Sequence, residues 1–167
     1  MNATIDDIRA ELLALLPRLR RFCVALAGSV PEGEDLAQDA IERALRNLHR
    51  WEPGTRLDNW VFRIAKNRFI DRRRAMKREH VVEMSDELEN NFANSVDGVR
   101  VAEARMALVK LNKALQLLPL EQREAIALVL IDGMSYQDAA NMLEIPIGTL
   151  TSRISRARAA LAAAIGG

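Results

Sequence analysis

Apolar residues recur along most of this chain at spacings of three and four, which is the period of an amphipathic α-helix. Pro17 and Gly28 divide the first helical stretches, and Pro31 suits the first turn of the next one. The sequence therefore predicts four helices in the N-terminal half. They are expected over residues 5–16, 18–27, 31–48 and 59–78.

The same period returns near residue 98 and continues almost to the C-terminus, with breaks at Pro119 and Gly133. Between the two helical parts lies an acidic segment without any Lys or Arg after Arg78, in which the acids are Glu83, Asp86, Glu87, Glu89 and Asp97. Such a composition is typical of a linker. We therefore predict an all-α chain of two small helical domains, residues 1–80 and 99–167, joined by a flexible linker over 81–98.

The end of the second domain has the pattern of a helix-turn-helix. Ser135 with Asp138 predicts a capped start for the first helix, and Pro146 suits the start of the second. From residue 145 onward the chain carries three arginines and no acid, so this last helix can approach DNA phosphates without repulsion. On composition alone a solvated amphipathic helix is the alternative. The predicted outer face consists of Thr149, Thr151, Ser152, Arg153, Ser155 and Arg156.

Charge is segregated along the chain, although the formal net charge is only +1. Residues 31–44 contain one base and five acids, which are Glu32, Glu34, Asp35, Asp39 and Glu42. Residues 56–80, in contrast, hold nine Lys or Arg and three acids. Blocks of opposite sign predict two surfaces for different partners.

Aromatic residues are interleaved with the basic block: Trp51, Trp60, Phe62 and Phe69. Cations bind phosphates and flat rings stack on unpaired bases, so this combination favours single-stranded DNA. The alternative is that Trp60, Phe62 and Phe69 belong to the core while the bases form a solvated face. Trp51 lies in a loop with Pro53 and Gly54, and we expect this aromatic side chain to be accessible.

Other classes of function find little support in the sequence. Cys23 lies on an apolar stripe and is expected to be buried, and two scattered histidines, His49 and His80, predict no metal site. No catalytic constellation, cofactor motif, signal peptide or membrane span is recognisable. We therefore expect a cytoplasmic protein that is not an enzyme and needs no cofactor.

Several motifs, in order, resemble the bacterial extracytoplasmic-function (ECF) sigma factors, small alternative subunits of RNA polymerase. Residues 16–22 resemble the first conserved-region helix of the family, and residues 34–40 (EDLAQDA) resemble its acidic polymerase-docking motif. Residues 57–71 (LDNWVFRIAKNRFID) resemble the helix that opens the minus-ten promoter element. Residues 118–124 (LPLEQRE) and the helix-turn-helix resemble the region that reads the minus-thirty-five element.

The resemblance implies a role for each surface. Docking on core RNA polymerase, at the clamp helices of its largest subunit and the flap of the second largest, is implied for Glu34, Asp35, Gln38, Asp39 and Glu42. Minus-ten binding, with the loop at residues 51–56 receiving a flipped base, is implied for Trp51, Arg56, Trp60, Arg63, Lys66, Asn67, Arg68 and Arg72. Minus-thirty-five duplex binding is implied for Thr149, Thr151, Ser152, Arg153 and Arg156.

The chain departs from the family pattern at two positions of the helix-turn-helix. Members often have Gly at the position of Glu144 and a base at that of Thr151, so the base preference is expected to differ. The resemblance also implies an anti-sigma factor as a regulatory partner, no membrane insertion and a monomer when free. A stand-alone helix-turn-helix regulator or a sigma-mimicking decoy for an anti-sigma factor are the alternatives.

Overall fold

The computed structural model describes residues 3–79 and 98–166, and all regular elements in these ranges are helical. The N-terminal unit contains α1 (Ile5–Ala14), α2 (Leu16–Ala27), α3 (Val30–Arg46), a 3₁₀ turn (Leu48–Arg50) and α4 (Leu57–Glu79). The C-terminal unit contains α5 (Gly98–Leu117), α6 (Leu120–Ile126), a π-helical turn (Ala127–Ile131), α7 (Tyr136–Leu143) and α8 (Ile147–Gly166). The predicted all-α fold is confirmed. The predicted linker lies outside the described residues, except for Gly98, which begins α5.

Helix ends follow the local signals in the sequence. The Thr4 hydroxyl accepts a hydrogen bond from the Asp7 backbone N–H at 3.2 Å, and the Thr4 N–H donates to the Asp7 carboxylate at 2.9 Å. Gly28 ends α2 with φ 88°, a left-handed conformation that glycine adopts without a steric penalty. Pro17 lies in the first turn of α2, where its missing N–H leaves no hydrogen bond unmade.

The core is formed by the inner faces that the helical period predicts. Phe22, Leu26 and Phe62 are fully buried between α2, α3 and α4, and the Phe22 and Phe62 rings lie 5.1 Å apart. Two residues with the right spacing stay outside: Ile5 and Leu45 are exposed. Ile5 begins α1, whose main neighbour is α2, so its side chain has no second element to pack against.

Among the described helices, α2 and α3 have the most extensive contact, and Gly33 makes their close approach possible. A Cβ atom built on Gly33 would lie 2.5 Å from the Val24 Cα atom and 2.6 Å from its backbone nitrogen. Backbone atoms of a packed helix cannot move aside as a flexible side chain does. Gly33 is therefore required by packing rather than by its own backbone conformation.

The two units pack against each other and share one hydrophobic core, in which Leu26 of α2 and Leu128 of the π-helical turn are both fully buried. The last carbonyl groups of α2 have no partner within their own helix. Three side chains of the C-terminal unit satisfy them: Asn112 donates to Gly28 O at 2.5 Å, Gln116 to Ala25 O at 3.0 Å, and Arg123 to Leu26 O at 2.9 Å. The end of α2 is thus capped by the other unit.

Adding a methyl group at Gly33 should destabilise the fold. We expect Gly33→Ala to lower the free energy of unfolding by about 1–3 kcal/mol, because the overpacked contact forces α2 and α3 apart. Urea denaturation measures the change. Gly148→Ala in α8 is the matched control: its new Cβ meets nothing within 4 Å, so a gain of about 0.5–1 kcal/mol is expected. Equal destabilisation by both substitutions would contradict the packing role of Gly33.

Candidate nucleic-acid and polymerase interfaces

The helix-turn-helix is formed by α7 and α8. The Ser135 hydroxyl accepts a hydrogen bond from the Asp138 N–H at 3.0 Å and caps α7, as predicted. Ala139, Ala140, Leu143, Leu150, Ile154 and Ala157 are buried and form the inner face of the motif. On the outer face Thr151, Ser152 and Arg156 are exposed, whereas Thr149 and Arg153 are half-buried.

Glu144 forms the turn between α7 and α8 in the left-handed conformation, with φ 57° and ψ 43°. Among the described residues, Glu144 is the one non-glycine residue whose φ is positive. This geometry disfavours a residue with a Cβ atom. The Glu144 side chain is 73% exposed, and its Oε1 atom lies 3.7 Å from Arg63 Nη2. Because the side chain is mostly in solvent, the strain is local to the backbone of the turn.

The acidic surface of α3 lies on one face of a well-packed helix. Glu34, Asp35, Gln38 and Glu42 are exposed and Asp39 is half-buried. Gln38 donates to the Glu42 carboxylate at 3.4 Å, which is a long hydrogen bond. A shallow polar depression of about 230 Å³ runs along this face; its walls are Asp35, Gln38, Asp39, Glu42, Arg68 and Arg72.

Two basic residues of α4 lie against this acidic surface rather than beside the other bases of that helix. Arg68 Nε donates to Asp39 at 2.6 Å, and Arg72 contacts both Asp35 and Asp39 at 3.1 Å. Burial acts to raise the pKa of Asp39, but the hydrogen bond from Arg68 and the nearby cationic charges hold that pKa below its ordinary value. The acidic and basic surfaces, which the sequence treats as separate, therefore meet here.

The aromatic residues of the basic block are mostly core. Phe62 and Phe69 are buried and Trp60 is half-buried. Trp51 is also half-buried and packs against the core, so the expectation of an accessible ring is only partly right. Its indole N–H is buried and has no hydrogen-bond partner among the described residues.

Arg56, which directly precedes α4, and Arg63, in the second turn of α4, contact the first helix of the helix-turn-helix. Arg56 Nη1 lies 2.5 Å from Asp138 Oδ2, and Arg56 Nη2 donates to Asp58 at 2.7 Å. The Arg63 guanidinium donates to the carbonyl oxygen of Met142 at 3.3 Å. Opposite ends of α7 are therefore held by two arginines of the N-terminal unit.

Arg18 completes this contact from α2. Its guanidinium binds the fully buried Asp132 carboxylate with two hydrogen bonds, of 3.0 and 2.8 Å, and lies 3.4 Å from Asp58. Asp58 lies in the first turn of α4, between Arg18 and Arg56. We call this contact the seam; its members are Arg18, Arg56, Asp58 and Arg63 with Asp132, Asp138 and the carbonyl end of α7.

Charged side chains of different helices also act on Glu124 of α6. Its carboxylate is buried, and Oε1 has no hydrogen-bond partner in the part of the chain that the structure describes. Burial raises the pKa of Glu124, and the charges of Lys66 and Arg153 only partly offset this effect. Lys66 of α4 and Arg153 of α8, assigned by the sequence to two different promoter elements, thus act on one carboxylate.

Of the α4 residues predicted to bind the minus-ten element, Asn67 is exposed and Lys66 is half-buried. Within residues 3–79 and 98–166, no group of His, Cys, Asp and Glu side chains is arranged to hold a metal ion. Burial raises the pKa of Cys23 to about 12, as expected for an unreactive core thiol. None of the helices in these ranges is long and apolar enough to cross a membrane.

Comparison with protein families gives two matches: sigma-70 region 2 over residues 12–79 and sigma-70 region 4 over residues 108–161. The chain is 37% identical to the ECF RNA polymerase sigma factor EcfG of Rhodopseudomonas palustris, over 95% of this chain and 84% of the relative. It is 32% identical to the ECF RNA polymerase sigma factor SigW of Bacillus subtilis, over 86% of this chain and 81% of that relative.

Two solved structures share the fold. The sigma factor RpoE from Bartonella quintana, solved in complex with the anti-sigma factor NepR, matches with a TM-score of 0.78 and 35% identity, over 97% of this chain and 98% of that one. CnrH, solved in complex with the cytosolic domain of CnrY, matches with a TM-score of 0.70 over 96% of this chain and 88% of that one. At 24% identity, CnrH supports the fold alone.

Replacing Glu144 by glycine should relieve the strain of the turn. We expect Glu144→Gly to raise the free energy of unfolding by about 0.5–1 kcal/mol, because the left-handed penalty exceeds the extra chain entropy of glycine. Thermal and urea denaturation measure it. Glu103→Gly, in the exposed part of α5, removes the same side chain from a regular helix and should destabilise by about 1 kcal/mol. A loss of stability in both variants would mean that the contact with Arg63 outweighs the strain.

Proposed function

The chain belongs to the ECF sigma factors of RNA polymerase, and on this premise we propose which of its surfaces bind the polymerase and which bind the promoter. As a member of the family it is an alternative sigma factor, a non-enzymatic subunit that binds core polymerase and directs promoter-specific initiation. The assignments below concern its individual residues.

Polymerase docking is assigned to the acidic surface of α3. Four of its five side chains are exposed on a helix that α2 and α4 hold in place, so the carboxylates need no rearrangement to meet a basic partner. Charge complementarity of this kind guides association and fixes the orientation of the partners. The clamp helices of the largest subunit are the proposed partner of α3, and the flap of the second-largest subunit is that of the C-terminal unit.

Duplex recognition is assigned to α8. The observation that carries this assignment is the outer face of α8, where Thr151, Ser152 and Arg156 stay exposed on a helix whose other side is fixed to the core. A helix presented in this way fits the major groove, and an arginine can pair with guanine through two hydrogen bonds. The minus-thirty-five element is the proposed duplex.

Strand opening is assigned to α4 and to the loop before it. Arg56, Arg63, Lys66 and Asn67 would hold phosphates of the separated strands, and Trp51 would lie at the pocket for a flipped base. Arg68 and Arg72 are paired with Asp35 and Asp39, and they can bind phosphates only after these ion pairs break. Their proposed role in strand binding is therefore secondary. The protein acts in the cytoplasm, where the polymerase is, as a monomer when free.

Regulation by an anti-sigma factor is also part of the proposal. It is supported by the Bartonella structure, in which a sigma factor 35% identical to this chain is bound by the anti-sigma factor NepR. The chain covers 98% of that sigma factor, so both helical units have counterparts in it. A stand-alone regulator or a decoy would not need both the acidic docking surface and the basic residues of α4.

Reversing charge on α3 should weaken polymerase binding without unfolding the protein. We expect Glu34→Lys with Glu42→Lys to lower the affinity for purified core polymerase about tenfold, since both side chains are exposed and outside the Arg68–Asp39 contact. Fluorescence anisotropy with labelled protein measures it. Asp39→Arg is less suitable, because Asp39 neutralises Arg43, Arg68 and Arg72 and its loss also disturbs the fold. Glu103→Lys on α5 is the control. Equal affinity of the wild type, the Glu34/Glu42 double variant and Glu103→Lys for core polymerase contradicts the docking assignment.

Removing the exposed arginine of α8 should cost promoter recognition. We expect Arg156→Ala to weaken promoter-dependent run-off transcription by the reconstituted holoenzyme about 5- to 150-fold, the equivalent of about 1–3 kcal/mol for a lost guanine contact. Arg100→Ala removes an exposed arginine from α5 instead of α8 and should leave transcription unchanged. If the chain supports no promoter-dependent initiation at all, the proposed function fails. If Arg156→Ala leaves start sites and yield unaltered, only the placement of the recognition face fails.

A further inference from the structure

The last turns of α4 border a groove between the two units, which we call the basic groove. It consists of two adjoining depressions of about 330 and 350 Å³, and both have Arg73, Lys77, Gln116 and Arg123 in their walls. We propose that the basic groove binds a short chain of phosphates, either free, as pyrophosphate or tripolyphosphate, or as part of a nucleotide. None of these residues belongs to the surfaces proposed above for the promoter or the polymerase.

The basic side chains of α4 that border the groove lack the carboxylate partners that other arginines of this helix have. Arg72 is paired with two acids of α3. Arg73, Arg74 and Lys77 form no ion pair with another described residue. The Arg73 guanidinium lies 5.6 Å from the centre of the Phe69 ring, and this contact holds its charge at the groove. Positive charge is thus concentrated here without a protein anion, among the described residues, to neutralise it.

Arg123 places a further positive charge beneath the groove. Its side chain is 4% exposed, and carbonyl oxygens already accept hydrogen bonds from its Nε, Nη1 and Nη2 atoms. Burial lowers the pKa of Arg123, and the neighbouring charge of Arg73 lowers that pKa further. Two like charges therefore face one groove, and a bound anion would offset their repulsion. Arg123 acts on such an anion through its charge rather than through hydrogen bonds.

The second depression has the chemistry of an anion site. Its walls contain Arg73, Arg74, Lys77 and Arg123 and no acid. Guanidinium groups bind phosphate oxygens through paired hydrogen bonds, and an ammonium group adds a compact charge. Four cations match the charge of two or three linked phosphates better than that of a single carboxylate or phosphate.

The first depression favours a small molecule over a longer polyanion. Its walls include the apolar side chains of Ala27, Phe69 and Met76, and also the carboxylate of Glu32. A nucleic-acid strand extended through both depressions would bring a phosphate to this carboxylate, which repels it. A nucleoside beside Phe69 and Met76 carries no charge there. Pockets of roughly 300–1,000 Å³ between domains, with apolar walls and a few polar groups, are typical of small-molecule sites.

Calorimetric titration of the full chain, without magnesium and at one fixed salt concentration, tests the proposal with orthophosphate, pyrophosphate, tripolyphosphate and ATP. Tripolyphosphate should bind at a single saturable site, about tenfold or more tightly than orthophosphate, because it reaches several cations at once. ATP distinguishes the two sources of the phosphate chain. Tighter binding of ATP than of tripolyphosphate indicates a nucleotide, and equal or weaker binding indicates a free phosphate chain.

Arg73→Gln with Lys77→Gln removes two of the cations and leaves Arg123 in place. Tripolyphosphate should bind this variant about tenfold or more weakly than the wild type. The matched control is Arg46→Gln with Arg100→Gln, which removes two exposed arginines from other parts of α3 and α5 and should keep the affinity within about twofold. Tripolyphosphate should also raise the melting temperature of the wild type and the control more than that of the Arg73/Lys77 variant, since a ligand of the folded state stabilises it.

Three outcomes overturn the inference. Tripolyphosphate binds the Arg73/Lys77 variant as tightly as the wild type, or the variant and the control lose affinity equally, which would mean a response to net charge alone. In the third outcome, labelled oligothymidine loses affinity for the variant by the same factor as tripolyphosphate, and the groove is then a surface for a nucleic-acid backbone. If Arg73→Gln unfolds the protein, the exposed Lys77→Gln alone, compared with Arg100→Gln, distinguishes the same outcomes.

Discussion

The fold depends on guanidinium groups that are removed from water and paired with oxygen atoms of distant segments. Arg123 is the central case: it donates to carbonyls of Leu26, Leu115, Gln116 and Leu118, and so joins the ends of α2, α5 and the start of α6. Burial lowers its pKa to about 10, so the group remains charged at neutral pH. A buried charge is tolerated only with such extensive pairing, and removal of any one segment would leave some of its N–H groups without a partner.

The same requirement divides the polar contacts between the two units into buried ones and partly exposed ones. Arg123 and Asp132 are buried, and water cannot replace their partners without separation of the units. Arg56 and Arg63 are partly exposed, and ion pairs in such positions contribute little because water and salt compete with them. Each of these arginines can therefore exchange a protein oxygen for a phosphate oxygen at small cost.

Local features of the sequence predict the fold well, and contacts between distant segments account for most of the rest. The Ser135 cap, the Gly28 helix end and the buried face of α7 and α8 depend on residues a few positions apart, so the pattern alone indicates them. The pairing of Arg68 with Asp39 and of Arg56 with Asp138 joins different helices, and a charge count cannot assign partners. One signal was present: Asp35 and Asp39 share the spacing of Arg68 and Arg72, as expected for two facing helices.

The small size of each unit links the hydrophobic core to the proposed regulation. A helical unit of this length buries a modest apolar surface by itself, and closure adds Leu26, Leu128 and their neighbours to one shared core. That gain favours the packed arrangement of the two units, to which the partly exposed contacts of Arg56 and Arg63 add little. A partner needs only to bind the open and closed states with different affinities in order to shift such an equilibrium. Two partners with opposite preferences for the packed and the separated arrangement of the units would thus act in opposite directions on the same contact between α4 and α7.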